Sequence, residues 1–106
     1  MSEVVVVAVI TPKEGKADRV EELLRNLADY VHKNEENTLR YHLHKETKKD
    51  TPEFVMIETY KNGEAFEAHK KSDFFGDLGK KFGDEDLLAK PLYVLELDAI
   101  AGFAER

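Results

Sequence analysis

The chain has 106 residues, a formal charge of −6 and no cysteine. That length suits a single domain over residues 1–106 with one modest core. The acidic balance disfavours nucleic acid and anionic membranes as partners, because both need clustered Lys and Arg. The missing thiols exclude cysteine nucleophiles, disulfides, zinc-thiolate sites and iron–sulfur clusters.

The N-terminus, "MSEVVVVAVITPKEG", lacks the basic leader and cleavage site of a signal peptide. No apolar stretch reaches the ~20 residues that a membrane span needs. The expectation is a cytoplasmic protein with no membrane partner. Residues 3–10 are β-branched and apolar at nearly every position, which predicts a first strand buried on both faces. Pro12 and Gly15 end it. Residues 16–34 predict a helix, because Ala17, Val20, Leu24, Leu27 and Val31 form one apolar stripe. Residues 38–46 alternate with period two. Leu39, Tyr41 and Leu43 fall on one face, and Arg40, His42, His44 and Glu46 on the other. A polar turn with Pro52 leads to a third strand over 54–60, apolar on both faces apart from Glu58 and Thr59.

A second helix is predicted from residue 64 to 71, with Phe66 and His69 one turn apart. Residues 72–91 then read as helical pieces broken by Gly76, Gly79 and Gly83, with Ser72 or Asp73 as a cap and Pro91 as the stop. The glycine spacing suggests a mobile lid. Residues 92–101 predict the fourth strand. The order βαββαβ predicts an α+β, ferredoxin-like fold, an antiparallel four-stranded sheet with the helices on one face. Helices on one side leave the other apolar face bare. A second copy of the same sheet is the simplest cover. A homodimer is therefore expected, with facing sheets that enclose an apolar space for a ligand.

The pattern E-x-Y-x-x-x-x-A-x-x-x-H-x-x-S stands here as Glu58, Tyr60, Ala65, His69 and Ser72, preceded by "YHLHKE". With the strand order, it resembles the antibiotic biosynthesis monooxygenase family of dimeric α+β barrels. The resemblance covers essentially the whole chain. It implies a small aromatic or polycyclic substrate held between helices and sheet and oxidised by O2 without metal or flavin. Haem-degrading members of the superfamily use an Asn on strand 1, a Trp on the second helix and a His ten residues later. Here strand 1 has no Asn, His69 stands at the Trp position, Gly79 stands ten residues on, and the chain has no Trp. Haem degradation is thus disfavoured. The missing Trp also separates the chain from some polyketide-oxidising members.

O2 reacts slowly with organic molecules because their spin states differ. An oxygenase without a cofactor must make its substrate electron-rich by removing a phenolic or hydroquinone proton, in a dry site. Histidine is the natural base, with a pKa of about 6.5. His69 is the candidate, and its bland alternative is a core histidine bonded to Glu58 or to backbone. Glu58 in an apolar strand needs a partner or a shifted pKa. It can orient the histidine or take a substrate proton, or else pair with Arg40, a lysine or backbone amides. Tyr60 shares its face and either contacts substrate or packs. Arg40 and His42 are candidates for stabilising a substrate anion. His42 and His44 with Glu46 form at most a weak metal pattern, and no metal is expected. Phe66, Phe74, Phe75 and Phe82 are candidate pocket walls or ordinary core. Glu96 is a similar lone acid on the fourth strand. The leading expectation is a cofactor-independent monooxygenase acting on a hydroxylated aromatic or quinol. The competing one is a non-catalytic dimeric barrel that binds a small hydrophobic ligand.

Overall fold

The computed structural model describes residues 2–106. Among them lie β1 (Val4–Ile10), α1 (Ala17–Asn34), β2 (Thr38–Lys45), β3 (Phe54–Tyr60), α2 (Gly63–Lys71), α3 (Asp73–Asp84) and β4 (Tyr93–Leu97). The strands form one antiparallel sheet in the order β2-β3-β1-β4. This is the ferredoxin-like arrangement, with the helical region divided into α2 and α3. No helix of the described residues is long and apolar enough to cross a membrane.

The period-two pattern decides which side chains meet the helices. Val6, Ala8 and Ile10 of β1 are buried, as are Phe54, Met56, Glu58 and Tyr60 of β3. Ala8, Ile10, Phe54 and Met56 pack against Val20, Leu23, Leu24, Leu27 and Val31, which lie on one side of α1, while Val6 and Tyr60 pack with Phe66. The alternate residues Val5, Val7, Val9, Val55 and Ile57 form the opposite face and are only half-buried. Tyr93, Leu95 and Leu97 extend that face across β4, where they are exposed. A continuous apolar face therefore stands free of the helices.

Strand β2 departs from simple alternation. Thr38 pairs with Tyr60, but Arg40 pairs with Thr59, so Leu39 is an extra residue in a bulge. Leu39 therefore does not share a buried face with Tyr41 and Leu43 as its spacing suggested; it is 53% exposed. The bulge resets the parity, so that Thr38, Tyr41 and Leu43 all lie opposite helix-side residues of β3.

Two further expectations are corrected. Helix α3 runs unbroken through Gly76, Gly79 and Gly83. Glycine imposes no steric bar to helical dihedrals, only a cost of about 1 kcal/mol relative to Ala. The packing of Phe75, Leu78 and Phe82 against the core offsets it. The real break lies between α2 and α3 at Ser72, whose Oγ accepts a hydrogen bond from the Phe75 amide at 3.2 Å. The fourth strand ends at Leu97 instead of Ala101. Leu97 pairs with Val5, one residue from the start of β1, so Asp98 onward has no ladder to join.

Candidate active site

Helix α2 begins where the Asn62 side chain accepts a hydrogen bond from the Ala65 amide at 2.9 Å. That cap fixes the phase of the helix, which turns Phe66 and His69 inward. His69 is 2% exposed and is caged by rings. Its ring centre lies 5.1 Å from Tyr41, 5.5 Å from Tyr60 and 4.8 Å from Phe75. Phe66 packs on Tyr60 at 5.0 Å.

Both imidazole nitrogens have partners. Nδ1 lies 2.9 Å from Glu35 Oε1, and Nε2 lies 3.3 Å from the Tyr41 hydroxyl. A carboxylate only accepts, so Nδ1 carries the proton and Nε2 presents its lone pair to Tyr41. Glu35 caps the C-terminus of α1, and its Oε1 also accepts from Thr38 Oγ1 at 3.1 Å. Its Oε2 is buried and finds no hydrogen-bond partner among the described residues.

Glu58 is bonded to Tyr60, not to His69, Arg40 or a lysine. The Tyr60 hydroxyl donates to Glu58 Oε1 at 2.5 Å, as their common face on β3 allows. Burial pushes the Glu58 carboxyl up to about 7; the Tyr60 bond opposes this and the charge of Glu35 adds to it. Burial lowers the His69 pKa below its ordinary value, and the charge and hydrogen bond of Glu35 oppose it. Burial, followed by the charges of Glu58 and Glu35, holds the Tyr41 hydroxyl above its usual value. The Tyr60 hydroxyl is raised by burial and then by Glu58.

These groups meet at a cavity of ≈ 320 Å³ between the sheet and helices α2 and α3. That is the lower end of the range for small-molecule sites, ~300–1,000 Å³. Its wall is mostly apolar, with Val6, Met56, Phe66, Phe75, Leu78 and Phe82 among the contributors. Tyr41, Glu58, His69 and Lys70 add the polar groups. Lys70 lies over the Phe66 ring and pairs with Glu67 at 2.7 Å. On the β4 side the lining residues Leu92 and Val94 are exposed. The cavity formed by the chain itself lies on the helix side of the sheet, between helices and sheet, where the family resemblance implied a substrate. Tyr41, Glu58 and His69 face into this space from β2, β3 and α2.

Three sequence candidates fall elsewhere. Arg40 and His42 pair across from Thr59 and Ile57, so they project from the helix-free face, away from His69. The His42 and His44 rings lie 4.5 Å apart, and no third His, Asp or Glu joins them in a metal-binding group among the described residues. Phe74 stacks on Tyr30 of α1 at 4.5 Å and does not line the cavity; its neighbour Phe75 does. Two residues of the site escaped the sequence reading. Tyr41 looked like one more apolar-face residue of β2. Glu35 stood just past the end of the predicted helix over 16–34 with no sign of a role, since only the tertiary contact with His69 of α2 gives it a partner.

The family model for antibiotic biosynthesis monooxygenase matches residues 3–81, which include every residue of this polar cluster. A structure from Pseudomonas aeruginosa is 29% identical, covering 95% of this chain and 97% of its own, with a TM-score of 0.81. A Caulobacter crescentus protein described as a candidate antibiotic biosynthesis monooxygenase is 27% identical, with coverage of 93% and 91% and a TM-score of 0.82. Another structure, described as an antibiotic biosynthesis monooxygenase, is 26% identical, with coverage of 92% and 99% and a TM-score of 0.79. No curated protein matches the chain.

Proposed function

The chain belongs to the antibiotic biosynthesis monooxygenase family, and from that premise we propose that it is a cofactor-independent monooxygenase acting on a small hydroxylated aromatic or quinol. The observation that carries the proposal is the apolar cavity whose wall holds both His69, neutral because its pKa is depressed, and Glu58, with a pKa of about 7. A neutral imidazole can take a proton and a half-protonated carboxyl can give one, which are the two tasks the reaction sets.

In the proposed reaction, His69 Nε2 takes the phenolic proton, and the phenolate gives one electron to O2. The substrate radical and superoxide then combine through a new C–O bond at an unsubstituted ring carbon. The O–O bond breaks heterolytically. The distal oxygen leaves as water with one proton from the imidazolium and one from Glu58, while the ring C–H proton returns to Glu58. A phenol and O2 thus give a quinone and water. All four electrons come from the substrate, so no external reductant enters. Tyr60 holds Glu58 through Oε1, and Phe66 and Phe75 bound the cavity. The apolar wall suits O2 and keeps the phenolate from bulk water.

The same reading includes a homodimer. Val7 lies between Ile57 and Leu95 across the helix-free face, a continuous apolar patch of the kind that a second copy covers. Arg40 and His42 would then face the partner instead of the substrate.

Oxygen uptake over a panel of phenols and quinols tests the activity. Wild type should consume O2 and form the quinone, and His69→Ala should lose the activity while keeping its assembly. Equal uptake in both proteins removes His69 from the mechanism. Tight binding without uptake replaces the enzyme with a ligand-binding barrel.

A further inference from the structure

Glu35 sits where a carboxylate is poorly served. It caps the C-terminus of α1, the negative end of the helix dipole, which disfavours an anion. Its Oε2 is buried without a hydrogen-bond partner among the described residues, and such a group carries a desolvation cost. Neither feature helps α1. The one strong interaction this side chain makes across the fold is with His69 Nδ1, at 2.9 Å. His69 in turn lies in the last turn of α2, where the dipole favours a positive charge.

We infer that Glu35 is a positioning residue: it holds His69 with Nδ1 protonated and Nε2 unprotonated, and it stabilises the imidazolium formed when the substrate proton arrives. The inference rests on His69 being the base. Before proton transfer the part-buried carboxylate faces a neutral ring. After it, the same carboxylate faces a cation at 2.9 Å. The interaction strengthens as the reaction proceeds, and only such differential interactions lower a barrier. The other polar groups around the ring come from β2, β3 and α2 itself. Tyr41 approaches Nε2 from β2, Tyr60 and Glu58 lie on β3, and Lys70 on α2 is turned to Glu67. Phe75 is the neighbour from α3.

Glu35→Gln tests the idea, because the amide oxygen can still accept from Nδ1 while the charge is gone. NMR of the His69 ring should show its pKa falling by ~1 or more, the usual effect of losing an opposite charge at this range. The acid limb of kcat/KM should move to lower pH by the same amount, and the plateau should fall by ~10²-fold, the low end of what a general base supplies. Thr38→Val leaves the charge and removes the competing donor to Oε1, so it should raise the His69 pKa. An unchanged His69 titration in both variants overturns the inference, whether or not the protein consumes oxygen. The absence of oxygen uptake in wild type, with the NMR shifts present, overturns the proposed reaction and leaves the Glu35–His69 coupling standing.

Discussion

Glu58→Gln isolates the energetic consequence of an acid in an apolar strand. The glutamine keeps the shape of the side chain, and its amide oxygen can still accept from the Tyr60 hydroxyl. In the folded protein the Glu58 pKa is raised from 4.5 to about 7. A folded-state pKa above the unfolded one means that the native protein holds the proton more tightly. The stability this contributes is complete below about pH 4.5 and is lost as pH rises through about 7. At ~1.4 kcal/mol per pH unit, the loss on the alkaline side comes to about 3 kcal/mol. Glutamine does not ionise, so the variant escapes it. Urea unfolding of both proteins, at one protomer concentration so that assembly does not enter the comparison, should give a difference that grows in favour of the variant. The growth should occur between about pH 4.5 and about pH 8.5 and reach about 3 kcal/mol. A constant offset is acceptable, since amide and acid differ in solvation. A difference that does not vary with pH would refute the reasoning, because Glu58 would then titrate alike in the folded and unfolded chains.

The other expectations are simpler. His69 has the opposite sign: its folded pKa lies below 6.5, so the unfolded chain takes the proton first and stability is lost as pH falls below about 6.5. His69→Gln should flatten that acid-side loss in the same unfolding series. Leu95→Glu puts a charge in the apolar face opposite the helices, and light scattering should report a folded protein of half the wild-type mass. Gly76→Ala meets nothing within 4 Å of the new methyl group and lies inside α3, so it should raise stability by ~0.4–1 kcal/mol in thermal unfolding.

The sequence by itself determined the order of elements, the two-sided apolar character of β1 and β3, and the inward face of α1. Those are local periodicities, and a chain of β-branched residues such as Val4–Ile10 has few other ways to bury itself. It also singled out Glu58, Tyr60 and His69, because polar groups amid apolar neighbours stand out without a structure. Tertiary structure decided the rest. Glu35 and His69 are far apart in the chain and meet only because the end of α1 packs near α2. Tyr41 reaches His69 because a bulge at Leu39 resets the face of β2, and no periodicity announces a bulge. Phe74 and Phe75 are neighbours of the same type, yet one stacks on α1 and the other lines the cavity. Helical phase separates them, and that phase is set by the Ser72 cap and by packing against the core.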